Sequence, residues 1–135
     1  MSADLMTGIQ TRWAATTALI ALLPAASVKT GTTATATVPY ATINKTGSDT
    51  VMRANSGDAV DEITVAIMVS DDDYDDAHAI MDQVKTAFDR ADFALTGNDK
   101  VIGMFKADES EERDGDTIWR VTVEFRCQVY LAVGV

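Results

Sequence analysis

The stretch Trp119–Val133, WRVTVEFRCQVYLAV, decides the fold. Trp119, Val121, Val123, Phe125, Cys127, Val129, Leu131 and Val133 occupy every odd position, while Arg120, Thr122, Glu124, Arg126, Gln128 and Tyr130 fill most even ones. Successive side chains of a strand point to opposite faces, so this alternation reads as one long strand with an apolar face and a polar one. From Ile118 to Val133 it extends about 50 Å at roughly 3.3 Å per residue. A compact domain of this chain's 135 residues has a radius of gyration near ~14 Å and a diameter of roughly 36 Å. The strand must bend or leave the body at one end, and an alternating edge without a neighbour templates association. This geometry predicts an oligomer.

Upstream, Asp108–Asp116 (DESEERDGD) reads as a charged hairpin tip containing the Asp114-Gly115 reversal signal. Before it, Lys100–Ala107 (KVIGMFKA) is a strand weakened by Gly103. Ser70-Asp71-Asp72-Asp73 forms a strong helix start, followed by an apolar stripe of Ala77, Ile80, Met81, Val84, Ala87 and Phe88 through Arg90, with Gly97 past the end. Glu62–Ser70 is a strand with Ile63, Val65, Ile67 and Val69 on one face. Val38–Asn44 (VPYATIN) is a further strand, whose Pro39 places its first part at an edge. Lys45–Asp58 holds Gly47, Ser48, Asn55, Ser56 and Gly57 and reads as a long hairpin connection. Residues 25–37 are an Ala/Thr/Gly-rich arm in which Val28 begins a short strand. Leu5, Ile9, Trp13, Thr16 or Thr17, Ile20 and Leu23 mark one face of a helix running from Ser2, as N-cap, to Pro24, roughly 30 Å long. The predicted order is α-β-β-α-β-β: an α+β fold with an antiparallel four-stranded sheet and two helices packed on one face, one domain over residues 1–135.

Hydrophobic residues at 47% and a mean hydropathy of +0.01 provide for a core. Eleven basic against twenty-one acidic residues give a net charge of -10 and a pI near 4.3. A protein that grips DNA needs Lys and Arg to displace counterions from phosphates, so specific DNA binding is disfavoured. A surface that DNA passes without sticking carries this sign of charge. Cys127 is the only cysteine, which excludes an internal disulfide and a Cys-based zinc site. Trp13–Ala26, WAATTALIALLPAA, has the look of a signal-peptide core, yet Asp4 and a single preceding basic residue, Arg12, count against it. The run is too short to span a bilayer, so no membrane association is expected and a folded helix is the better reading.

Asp71, Asp72, Asp73, Asp75 and Asp76 are the densest charge cluster. They lack the alternating ligands and glycine of a calcium loop, so capping of the following helix is preferred to a metal site. His78, the only histidine, has no neighbouring nucleophile and reads as a surface or half-buried residue. Cys127 falls on the apolar face and reads as core, as do Trp13 and Trp119. Asp108, Glu109, Glu111, Glu112, Arg113 and Asp114 form a solvated segment that could face a neighbouring subunit or a lumen, and Arg53 is a further interface candidate. Phosphate loops, nucleophile elbows and paired cysteines are missing, so no enzyme and no cofactor are expected.

MTGIQTRWAATTALIALLP, then the Pro39-Tyr40 strand VPYATIN, then ITVAIMVSDDDYDDAHAIMDQVKTAFDRADFAL and finally WRVTVEFRCQV form a sequence of elements over nearly the whole chain. This layout resembles the tail-terminator, or tail-completion, family of tailed phages and related gene-transfer particles. The Thr/Ala-rich arm and the heavy Asp run depart from it. The resemblance implies a virion protein, made in the bacterial host cytoplasm, that forms a ring, usually a hexamer. The ring would cap the head-proximal end of the tail tube, stop polymerisation and face the head-tail connector or head-completion protein, with DNA passing through. A neck or head-closure ring of similar fold is the nearest alternative, and a small acidic metal- or ligand-binding module is the alternative from another class. Calcium-dependent stabilisation that disappears in Asp73→Ala would favour the module.

Overall fold

The structure, a computed structural model, describes residues 2–30, 38–53, 57–95, 98–114 and 117–131, with side chains of residues 2–4 and 114 outside that description. In chain order the elements are helices α1 (Ser2–Ala15) and α2 (Thr17–Leu22), a 3-10 turn at Ala25–Ser27, and strands β1 (Val28–Thr30), β2 (Tyr40–Arg53) and β3 (Ala59–Asp71). Helix α3 (Tyr74–Phe88) follows, then β4 (Ala91–Ala94), β5 (Lys100–Asp114) and β6 (Ile118–Leu131). One six-stranded sheet has the order β1-β2-β3-β6-β5-β4 and curls into a half-barrel.

The alternation in the last strand is realised: Val121, Val123, Phe125, Cys127 and Val129 are all buried, and the even residues between them are not. Val133 lies outside the described residues. β6 sits mid-sheet, antiparallel to β3 along an unbroken register from Ala59↔Leu131 to Asp71↔Trp119. Ile63, Val65, Ile67 and Val69 of β3 share its apolar face, as expected from their period of two.

The expected antiparallel four-stranded sheet with two helices is incorrect. The sheet is mixed and six-stranded, because β1 runs parallel to β2 and β4 adds to β5, and the described residues form three short helices. β1 and β4 span 3 and 4 residues, too few to display a full alternation, so sequence pattern barely marks them. Lys45–Arg53, expected as a loop, continues β2. The long β3 supplies ladder partners to Ala59, and register shifts at Lys45/Gly47 and Thr50/Met52 absorb the residues that fit poorly. Likewise Asp108–Asp114 is strand, not hairpin tip: β6 pairs with β5 as far as Asp114↔Ile118. Gly115, Asp116, Gly97, Asn55, Ser56 and residues 31–37 lie outside the described residues.

The expected N-terminal helix is broken at Thr16, which takes extended dihedrals (φ -96, ψ 102). One non-helical residue changes the phase of the following turn, so Leu19 is buried and Ile20 is 39% exposed, the reverse of the uninterrupted spacing. The Trp13 indole N–H donates to the Leu23 carbonyl (2.9 Å) and so folds α2 back on α1. The Arg12 Nε donates to the Ala87 carbonyl (2.8 Å), joining α1 to the end of α3.

α3 starts at the Asp73 N-cap, whose carboxylate accepts from the Asp76 N–H. Asp75 and Asp76 lie in its first turn and Lys85 in its last, which complements the helix dipole. Ala77, Ile80, Met81, Val84 and Phe88 form its buried face. Arg90 adopts a left-handed conformation (φ 66) and its N–H donates to the Met104 carbonyl, turning the chain into β4. The Phe88 ring lies 6.4 Å from both Trp13 and Phe125, so one aromatic column joins α1, α3 and β6. Trp13→Ala is expected to lower unfolding free energy by about 3–5 kcal/mol, seen as a lower urea midpoint with unchanged slope. Trp13→Phe should cost less but still more than about 1 kcal/mol, because the buried Leu23 carbonyl loses its donor.

Candidate functional site

β4 pairs only with the first part of β5, joining Ala91, Phe93 and Ala94 to Met104, Val101 and Lys100. From Ala107 to Asp114 the outer side of β5 carries no strand among the described residues. This stretch holds Asp108, Glu109, Glu111, Glu112, Arg113 and Asp114, six of the seven candidate residues. Alternation divides them between two faces. Glu109 and Glu111 lie opposite Val123 and Val121, on the helix-covered face; Asp108 and Glu112 lie opposite Glu124 and Arg120, on the face without helices. Arg53 is not brought to them: it ends β2, opposite Ala59, at the diagonally opposite corner of the sheet.

α3 places a polar stripe over this edge. Lys85 Nζ lies 3.2 Å from both carboxylate oxygens of Glu109, and Lys106 Nζ is 3.5 Å from Oε1. His78 Nε2 is 2.7 Å from Glu111 Oε2, and the Tyr74 hydroxyl donates to Oε1 (3.4 Å). The Tyr74 ring lies 4.4 Å from the His78 ring, tilted by 45°, and meets Trp119 edge-on at 4.8 Å. The Arg113 guanidinium sits 5.3 Å over the same indole. The result is a charged and aromatic seam joining α3, β5 and β6.

Burial pushes the Glu109 carboxyl up, but Lys85 and Lys106 outweigh it and hold the group below its usual range. The Tyr74 phenol is raised by its hydrogen bond to Glu111, then by burial and the Glu111 charge. Asp71, 4% exposed, is raised by burial and by its hydrogen bond with Asp72. Burial pushes the Cys127 thiol up to about 12.

The acidic run at 71–76 acts locally. Asp73 Oδ1 accepts from the Asp76 N–H (3.0 Å), and Asp71 Oδ1 accepts from the Asp73 N–H (3.3 Å). Among the described residues no three His, Cys, Asp or Glu side chains converge as metal ligands. A cleft of about 390 Å³ lies between α1 and β4, lined by Thr7, Gly8, Arg12 and Phe93 among others. Its one charged side chain, Arg12, is bonded to the Ala87 carbonyl. No described helix is long and apolar enough to cross a membrane.

His78, read as a surface or half-buried residue, is a partner of Glu111 across 33 positions, and Lys85 meets Glu109 across 24. Sequence spacing carries no trace of such separations. The only local signal was the stripe Tyr74, His78, Asp82 and Lys85, spaced by four and three residues along one side of the helix.

The sequence matches the family described as Tail completion protein gp17 over residues 7–130. No curated protein matches it. Among solved structures, a chain described as "Virion of native gene transfer agent (GTA) particle" shares the fold, with a TM-score of 0.71 at 16% identity over 96% of this chain and 97% of that one.

Two outcomes follow from the electrostatics. Glu109 has a lowered folded-state value, so its contribution to stability is present above the unfolded value of about 4.3 and is lost as pH falls through the folded one. Glu109→Gln is expected to flatten the acid limb of a thermal-unfolding profile between about pH 6 and pH 3. The protonated, buried Cys127 should resist thiol reagents at about pH 8 in the native protein and react once urea unfolds it.

Proposed function

Since the chain belongs to the family Tail completion protein gp17 and is a structural tail component of a phage-type virion, we propose that it forms a ring at the head-proximal end of the tail tube. The ring is a hexamer that ends tube polymerisation and presents the surface to which the head joins. Its partners are further copies of itself, the tail tube protein, and the head-tail connector or head-completion protein, and DNA passes through its channel without specific binding. The protein is made in the host cytoplasm and resides at the head-proximal end of the tail.

The family match over residues 7–130 carries this reading. The architecture supports it: the helices pack on one sheet face, and the other is left to a polar set including Thr64, Thr122, Glu124, Arg126 and Gln128. The net charge of -10 suits a channel that repels phosphate. Asp108 and Glu112 are the lumen-facing or contact residues proposed for β5, with Asp114 a further candidate at its end, Glu109, Glu111 and Arg113 at the subunit boundary and Arg53 as a contact from β2.

Particles assembled without this protein are expected to carry tubes longer than normal and unattached to heads, with both defects reversed by supplying it. Tubes of normal length beside leaking heads would instead assign it to the adjacent neck ring, and normal particles would overturn the reading. The pair Asp108→Lys and Glu112→Lys is expected to leave far-UV circular dichroism unchanged while reducing complete particles by about tenfold or more. Loss of the folded state would remove these residues from the assembly surface.

A further inference from the structure

The sheet ends on two open edges at diagonally opposite corners. β1 covers only Ala41, Thr42 and Ile43 of β2, so beyond Asn44 no described strand lies outside β2 as far as Arg53. β4 stops at Met104 of β5, and the open edge there runs from Ala107 to Asp114. Such rows of backbone N–H and C=O groups template pairing unless proline, charge or a cover blocks them. β2 from Thr46 to Met52 has one charge, Asp49, and no proline. It ends on Val51, 56% exposed, and Met52, 60% exposed, while Phe105 at the start of the β5 edge is 49% exposed.

Direction, face and charge of the two edges match. Three successive antiparallel pairings separate β2 from β5, so the two run in opposite directions. A copy added to the sheet in the same sense would therefore meet β5 with its β2 antiparallel. Arg53 and Lys45 of β2 lie opposite Ala59 and Val65, on the face that also holds Glu109 and Glu111 of β5. Residues 44–53 contain Lys45 and Arg53 against Asp49, and residues 107–114 contain five acids against Arg113. Basic residues are scarce in a chain of net charge -10, which makes the β2 edge the exception.

We propose that the β2 edge of one copy pairs antiparallel with the β5 edge of a second, continuing the sheet from subunit to subunit. This names the contact within the ring of the preceding subsection and rests on that reading. To bring the two corners together, the second copy slides along the strands by roughly six to eight residues, about 20–26 Å. Six strands span about 29 Å across the sheet at roughly 4.8 Å each. That stagger corresponds to a strand tilt of about 35–42°, within the range at which curved sheets close. The contact is head-to-tail, the type that closes by rotation.

Hydrogen exchange of the wild-type protein, as dilute monomer, concentrated solution and bound to isolated tails, tests the contact. Amides at 47–52 and 107–113 are expected to slow by about tenfold or more on assembly. Arg53→Glu and Glu109→Lys, which a slide of roughly eight residues sets opposite one another on the same face, should each raise the concentration needed for assembly by about tenfold, and the two together in one chain should restore it to within a few-fold. A ring whose edge amides still exchange at the monomer rate would overturn edge pairing while leaving the ring intact. Protection that appears only when tail tube protein is added to monomer would assign the edges to that protein and overturn the proposal. A chain that stays monomeric in concentrated solution and on tails would overturn the ring and this contact together.

Discussion

Everything in this protein depends on the pairing of β3 with β6. Their register is unbroken over the 13 residues of β3, and each contributes a buried row, Ile63 to Val69 and Val121 to Val129. A one-residue slip of either strand would turn its buried row away from the helices, so the burial of one face sets the register. At roughly 3.3 Å per residue the pair is about 43 Å long, more than the helices can cover. The outer strands β2 and β5 inherit that length from the ladders they join. Helical cover and short capping strands do not.

That mismatch explains why the polar residues cluster where they do. Where α3 overlies β5, a bare apolar strand would meet solvent at its edge. Glu109 and Glu111 stand there instead, on the same face as core valines, and are satisfied by Lys85, Lys106, His78 and Tyr74. These are half-exposed contacts, individually weak. Their value is positional: they tie the helix to the strand beyond the reach of the core. On the other face Asp108 and Glu112 point away from the helices.

Family membership assigns the chain a tail structural role. In the acidic run at 71–76, Asp73 caps α3 and Asp71 closes the turn after β3. His78 is engaged by Glu111, and Cys127 is held protonated in the core.

The sequence by itself determined the local elements whose period is long enough to read: β6, β3, the apolar stripe of α3 and the Asp73 cap. In these, burial and hydrogen bonding are satisfied by the segment's own spacing, so pattern and structure coincide. Only the tertiary structure decided the rest. β1 and β4 exist because a neighbouring strand offers them partners, and β2 and β5 extend through Gly47 and the acidic run because β3 and β6 pull them into register. Thr16 breaks the first helix where Trp13 needs the Leu23 carbonyl. The approach of α3 to β5, and the placing of Arg53 and the acidic edge at opposite corners, depend on contacts between distant residues. Such contacts leave no period in the chain, because their energy belongs to the pair and not to either segment.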